Sequence, residues 1–232
     1  MQLWHTVSPI SGDCFRHWIF PSGKDKHFIS IGEREDKPWI IENWERQIFR
    51  YLPLHWDAWA LWAAQTGLIR MMQIQVRAIR AALDAGITTF DAAESYGNGS
   101  TEVLLGKALG ADRTKAVIAS KVSNTNFGEG KVIAACEASL RRLGTDYLDL
   151  YQIHWPKDDA DMDVVMDQLL RLKEQGKIRA IGVSNFGNAD LDTIEKYHCV
   201  DSNQMAYSLL VRGIEYTVLP KCRERGISVL TY

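Results

Sequence analysis

The chain has 232 residues, 46% of them hydrophobic and 24% charged, a balance that excludes disorder as its main state. Twenty-seven Lys and Arg against 29 Asp and Glu leave a formal charge of −2, which argues against a nucleic-acid binder with its clustered basic excess. No segment reaches the roughly 18 uninterrupted apolar residues of a membrane span, and the N-terminus lacks a charged-then-apolar signal layout, so the expected compartment is the cytoplasm.

Composition divides the chain. Seven of the eight Trp and four of the six Pro lie at or before Trp62. Residues 1–69 carry no sustained helical or strand period before Trp44, only a weak helical reading over Trp44 to Leu52, and no motif. They are set apart as an atypical Trp-rich segment from residues 70–232. Four cysteines, Cys14, Cys136, Cys199 and Cys222, are far apart with no C-x-x-C. That spacing excludes a compact zinc pattern and reads as small buried hydrophobes.

From Arg70 onward the pattern is regular. Ile74, Ala78, Ile79 and Ala82 form an apolar stripe at helical spacing, ended by Gly86. Ile87 to Phe90 reads as a short strand, Glu102 to Leu109 as a helix and Ala116 to Ser120 as a strand. The loop Phe127 to Lys131 lacks the glycine spacing of a phosphate-binding turn and reads as a flexible loop. Val132, Cys136, Leu140 and Leu143 mark one face of the next helix, stopped by Gly144. Tyr147 to Ile153 is a strand. Met162, Val165, Met166 and Leu169 mark a helix stopped by Gly176, and Ile178 to Val183 a strand. Leu191 to Tyr197 reads as helical and Val200 to Met205 as a strand. Tyr216 to Arg225 is a helix stopped by Gly226, and Ile227 to Thr231 a strand. Strict alternation of this kind calls for a parallel sheet with crossover helices. Either an open doubly wound sheet or a closed (β/α)8 barrel satisfies it. The open sheet often carries a G-x-G-x-x-G or P-loop after its first strand, and neither occurs here.

Each of these strands ends in a reactive or hydrogen-bonding residue: Asp91, Lys121, His154, Ser184 with Asn185, Gln204, and Tyr232. Most successive spacings match the ~30 residues of one strand-plus-helix unit. In a barrel such ends meet at one mouth, and Tyr96 could fold over it from the loop after Asp91. A Lys beside a phenol lowers the phenol's pKa, an Asp keeps that ammonium charged and fixed, and a His adds a directional donor. Nothing in this set is an electron source. The arrangement suits proton delivery to an oxygen while a cofactor such as a nicotinamide delivers hydride. A metal reading of His154 and Asp91 lacks an accompanying H-x-H or carboxylate cluster, and Lys121 would repel a cation.

These residues lie in recognisable text. Phe90-Asp91-Ala92-Ala93-Glu94-Ser95-Tyr96-Gly97, with Thr101-Glu102 and Leu105-Gly106, resembles the first signature of the aldo-keto reductases. Ser139 to Leu150, with Ile153-His154-Trp155-Pro156, resembles the second. Gly176-Lys177-Ile178-Arg179-Ala180-Ile181-Gly182-Val183-Ser184-Asn185-Phe186 is similar to the family's fifth-strand motif. The match runs from about Ala78 to Tyr232 and is closer to bacterial-type members than to the animal branch. The resemblance implies a (β/α)8 barrel that reduces aldehydes or ketones, usually with NADPH, with NADH left open. It makes Tyr96 the proton donor, Lys121 and Asp91 its tuning pair and His154 the residue that orients the carbonyl. Asp91, Ser184, Asn185, Gln204 and Tyr232 fall in the nicotinamide site, with Tyr232 stacking on the ring, and Trp155 lines the substrate pocket. The implied partner is a small carbonyl compound, with no nucleic acid, membrane or metal.

The ends depart from the family. Residues 1–69 do not read as its β-hairpin floor and first strand, for which Trp59 to Leu68 is the one candidate. The chain stops at the strand counted seventh. An incomplete barrel is therefore expected, without the eighth strand, the helices after the seventh and eighth strands, or the loop that grips the adenosine 2′-phosphate. Two further readings stay open: a redox-sensing binding subunit of the same fold, and an inactive fragment.

Overall fold

The computed structural model describes residues 68–197 and 199–232. The Trp-rich segment, the Trp44 to Leu52 helix and the Trp59 to Leu68 strand candidate lie outside those residues, apart from Leu68, which opens a helix. The described order is α1 (Leu68–Asp84), β1 (Thr89–Asp91), α2 (Ser100–Leu109), β2 (Val117–Val122), α3 (Lys131–Leu143), β3 (Leu148–Ile153), α4 (Met162–Glu174), β4 (Ile178–Ser184), α5 (Asn188–Thr193), β5 (Val200–Met205), α6 (Val218–Glu224) and β6 (Ser228–Thr231). The six strands are all parallel and lie side by side in chain order. That is the barrel-type order; a doubly wound sheet reverses its strand order at a switch point.

The sheet curls. Adjacent strands sit ~4.8 Å apart, so β1 and β5 would lie far beyond side-chain reach in a flat sheet. Yet Gln204 Nε2 on β5 donates to Asp91 Oδ2 on β1 at 3.3 Å. The architecture is thus part of a (β/α)8 barrel, as expected.

Alternation along each strand sorts residues into two layers. On β2, Ile118 and Val122 face the helices, while Ala119 and Lys121 face the inside. The outer layer joins Phe90, Tyr151, Ile153, Ile181 and Val183 to Val132 and Cys136 of α3 and to Met166 and Leu169 of α4. Each such buried side chain contributes about 1.5–3 kcal/mol. The inner layer is small: Ala119, Leu150 and Ala180, with Leu230 against them. Cys136 and Cys222 are buried free thiols. Burial pushes Cys136 up to about 12 and Cys222 to about 11, so both act as hydrophobes rather than nucleophiles.

Three helices differ from the expected bounds: α2 begins at Ser100 rather than Glu102, and two others differ for a local reason. The Leu191 to Tyr197 helix instead begins at Asn188, where the Asp190 carboxylate accepts from Gly187 N at 2.8 Å. It ends at Thr193, whose hydroxyl donates to Asp190 O at 2.6 Å and so competes for a helix carbonyl. A 3₁₀ turn, Glu195–Tyr197, follows. The last helix starts at Val218 rather than Tyr216. Pro220 lies in its first turn, where a missing N–H is tolerated, but one turn deeper it would break the ladder. Among the described residues no helix is long and apolar enough to cross a membrane.

Helices α2 and α3 touch at Gly106. A Cβ there would lie 2.2 Å from Leu143 O and 2.7 Å from Leu143 C, and backbone cannot swing aside. Alanine normally improves a helix interior by ~1 kcal/mol over glycine. Here overpacking wins: Gly106→Ala is expected to cost about 1–3 kcal/mol, read as a lower urea midpoint at unchanged slope. An unchanged or higher midpoint would show that the two helices part freely.

Candidate active site

The polar strand ends do converge. Asp91 closes β1, and Lys121 lies one residue before the end of β2. Lys121 Nζ donates to Asp91 Oδ1 at 2.6 Å, to Asp91 Oδ2 at 2.7 Å and to Ala92 O at 3.0 Å. All three ammonium protons are thereby used. Both side chains are 1% exposed. Burial pushes Asp91 up and Lys121 down, and each partner opposes the other's shift.

Tyr96 reaches this pair through a turn that demands its sequence. Gly97, Asn98 and Gly99 all have positive φ, at 56°, 52° and 84°, a run that only Gly and Asn enter cheaply. Helix α2 then anchors the turn. Its fully buried Glu102 accepts from Ser120 Oγ at 2.5 Å and Arg142 Nε at 2.6 Å, tying it to β2 and α3. Lys121 Nζ sits 4.9 Å from the Tyr96 ring centroid. The His154 ring meets Tyr96 edge-on, with centroids 5.5 Å apart.

One electrostatic expectation is corrected. Lys121 does not lower the Tyr96 pKa. Burial raises it, and the Asp91 carboxylate raises it further. The Lys121 ammonium makes two bonds to Asp91 and one to Ala92 O, and in the resting site Tyr96 remains a protonated phenol.

His154 follows β3 directly. Burial and the nearby Lys121 charge push it down to about 4. Its imidazole is therefore neutral through the physiological range. Ser95 Oγ lies 3.4 Å from Nδ1; a hydroxyl donating there leaves the ring proton on Nε2. The expected titration of His154, followed by the Cε1 proton in NMR, has a midpoint near 4. The sign follows from linkage. The unfolded imidazole binds its proton at ~6.5, so this residue's contribution to stability is whole above ~6.5 and is lost as pH falls toward the folded value. A midpoint near 6.5 would show an exposed ring.

Asn185 is the junction of the other strand ends. Its φ is 63°, a left-handed position that Asn tolerates. Its N–H donates to Gln204 O at 2.8 Å. Its Nδ2 donates to Ser184 Oγ at 3.0 Å and His154 O at 3.3 Å, and its Oδ1 accepts from Tyr232 Oη at 2.6 Å. Ser184 Oγ donates to Gln204 O at 3.2 Å. Tyr232 is 39% exposed and Trp155 50%, and Trp155 stacks on His154 at 6.4 Å. Every residue singled out in the sequence thus joins one contact network at the C-terminal ends of the strands.

Sequence reasoning passed over three neighbours. Glu94 accepts from Ser123 N and Asn126 Nδ2 and ties the Tyr96 loop to the loop after β2. Ser95 faces His154. Gln152, buried inside β3, donates from Nε2 to Gln204 Oε1 at 2.9 Å. Its one available signal was an amide inside an otherwise apolar strand end.

Comparison with known proteins agrees with this geometry. Residues 67–232 match the model of the Aldo/keto reductase family. Methylglyoxal reductase YeaE of Escherichia coli is 44% identical over 162 residues, covering 68% of this chain and 56% of that protein. Aldo-keto reductase YhdN of Bacillus subtilis is 38% identical over 167 residues, covering 68% and 50%. This chain therefore spans about half the length of the curated relatives it matches. The crystal structure of an aldo/keto reductase from Klebsiella pneumoniae in complex with NADP and acetate superposes with a TM-score of 0.66 at 38% identity, over 68% of this chain and 56% of that one. A family match of this extent, on a parallel barrel sheet of the expected strand order, shows that the chain belongs to the aldo/keto reductase family.

Proposed function

We propose that this chain carries the reaction centre of an NADPH-dependent reductase of small aldehydes or ketones, with Tyr96 as the proton donor. The observation that carries this reading is the meeting of Tyr96, Lys121, Asp91 and His154 at one mouth. The relatives support it: one solved relative holds NADP and acetate, and another is a methylglyoxal reductase, which favours a short carbonyl compound here.

The residues fit the carboxamide end of a nicotinamide. Ser184, Asn185 and Gln204 offer a hydroxyl and two amides beside the partly exposed Tyr232 ring, a flat apolar face with polar groups at its edge. Of the two amides, Gln204 has one Nε2 hydrogen committed to Asp91, leaving the second for a ligand. Bound NADPH would supply the hydride.

The chain's own residues supply the rest. A carbonyl oxygen placed between Tyr96 and His154 would receive a hydrogen bond from the neutral imidazole Nε2–H and the proton from Tyr96 Oη. The raised Tyr96 pKa keeps that proton in place in the resting state. Lys121 Nζ, 4.9 Å from the Tyr96 ring centroid, is a nearby positive charge as negative charge develops on the phenol with departure of the proton. Asp91 holds Lys121 in register. Trp155 shields the mouth from one side and presents an apolar wall to a small substrate.

The test is NADPH oxidation by the folded chain with methylglyoxal and a panel of short aldehydes, run alongside Tyr96→Phe. Carbonyl-dependent oxidation lost in Tyr96→Phe supports the reading. A folded chain that oxidises no NADPH with any carbonyl overturns it for this chain.

A further inference from the structure

The inner face of the sheet carries a second hydrogen-bonding chain below the mouth. Register places Lys121 beside Gln152, Gln152 beside Gly182, and Gly182 beside Ser202. Gln152 is on β3 and Gln204 on β5, with β4 between them. Gln152 nonetheless reaches Gln204, because the residue in the way is glycine. A Cβ on Gly182 would lie 2.9 Å from Gln152 Cγ and 2.5 Å from Ser202 Oγ. The missing side chain is the gap through which Gln152 passes.

The direction of this chain follows from chemistry. The Asp91 carboxylate only accepts, so Gln204 must turn its Nε2 toward Asp91 Oδ2. Its Oε1 then points the other way and needs a donor. Gln152 supplies one from Nε2. Gln152 and Gln204 are 0% and 1% exposed, so no bulk water competes for either amide.

We propose that Gln152 is a positioning residue: by reaching across Gly182 it locks the Gln204 carboxamide with its nitrogen toward Asp91 and the mouth. The proposal rests on the nicotinamide reading above for its functional consequence. A locked Gln204 offers the mouth an N–H donor, which matches the carboxamide oxygen of the cofactor ring. Released, the amide is held only by its 3.3 Å bond to Asp91 among the described residues and can swing away from the geometry the ligand needs. Gln152 does not exist to stabilise the fold. Its Oε1 has no hydrogen-bond partner among the described residues, and Gln152→Leu merely trades that orphaned acceptor for Gln204 Oε1.

The experiment uses the whole chain, NADP⁺ as the probe because it survives acid, and three variants. Gln152→Leu is expected to keep its melting midpoint within a degree or two of the parent while binding NADP⁺ about tenfold more weakly, the effect of one lost buried hydrogen-bond partner. Gly182→Ala, which closes the gap, should weaken NADP⁺ in the same direction. Gln152→Glu supplies the signature. Protonated, its carboxyl O–H can donate to Gln204 Oε1 as the amide did; ionised, it can only repel that oxygen. Burial raises the pKa of such a carboxyl and the Lys121 ammonium beside it opposes that shift; the burial effect is taken to prevail. Its NADP⁺ affinity relative to the parent should therefore be within about twofold at about pH 5.5 and more than about tenfold weaker at about pH 8.5. Among the described residues, the charged or titratable groups facing position 152 are Asp91 on β1 and Lys121 on β2, with Tyr96 and His154 above them; β4 and β5 present Ser184, Ser202 and Gln204. All are shared with the parent, so the ratio cancels their titration.

A second readout needs no cofactor. The Gln204 side-chain amide protons should exchange slowly in the parent and fast in Gln152→Leu, by NMR. Slow exchange in both, or a Gln152→Glu ratio that does not move with pH, overturns the proposal. If the parent binds no NADP⁺ while Gln204 loses protection in Gln152→Leu, the cofactor reading fails and the positioning role stands.

Discussion

Replacing Lys121 with Met should destabilise the chain by about 3–5 kcal/mol, the cost of leaving a buried carboxylate without its partner. The ammonium donates two hydrogen bonds to Asp91 and one to Ala92 O, in a place where both side chains are 1% exposed. Without it, the remaining side-chain hydrogen bond to the Asp91 carboxylate among the described residues is the 3.3 Å contact with Gln204. The variant's carboxyl would respond by holding a proton to higher pH. The sign is then fixed: a folded pKa above the unfolded value of ~3.9 means the folded state binds more protons, so stability falls as pH rises through that interval. The deficit of Lys121→Met should be largest at neutral pH and shrink toward pH ~4. Asp91→Asn combined with Lys121→Met removes both charges and should regain most of the loss, giving a large coupling in a double-mutant cycle. Urea unfolding of the four proteins at two pH values decides it. Additive single effects would mean that the pair is screened by solvent after all.

That pair also shows what a sequence can and cannot disclose about this site. The strand-end positions were legible because barrel geometry converts a regular spacing into convergence. Glycine stops after apolar helical stripes marked the alternation, and the strand order followed from it. The three long motifs identified the family. Asp91, Lys121, His154 and Asn185 could therefore be placed before any coordinates. Their electrostatics could not. Adjacency of Lys121 and Tyr96 suggested a lowered phenol pKa, but the outcome depends on how many ammonium protons Asp91 takes, and it takes two of three. Gln152 was invisible for a related reason. Its importance depends on β5 curling back toward β1 and on Gly182 leaving a gap, both properties of the assembled sheet. The helix break after Thr193 turned on one hydroxyl choosing a carbonyl, which periodicity cannot register. The reading of residues 1–69 produced no pattern from which such geometry could be argued.

The largest effect on the reaction should come from Tyr96→Phe. The ring, its edge contact with His154 and its approach to Lys121 all survive the change; only the hydroxyl, and with it the transferable proton, is removed. General acid catalysis by a positioned group is worth about a hundred- to ten-thousandfold, so the turnover number should fall by that factor. The cofactor contacts proposed at Ser184, Asn185 and Gln204 are untouched, and NADP⁺ affinity should stay within about twofold, less than ~0.5 kcal/mol. The pH profile carries a separate prediction. A donor must be protonated to act, and burial with the Asp91 charge raises the Tyr96 pKa. Reduction by the parent should therefore show no alkaline loss from Tyr96 below its ordinary value of ~10. A site in which Lys121 lowered that pKa would instead lose activity from neutral pH upward. Single-turnover NADPH oxidation across pH, for parent and variant, separates these outcomes. A variant that keeps a tenth or more of the parent turnover would remove Tyr96 from the role of proton donor.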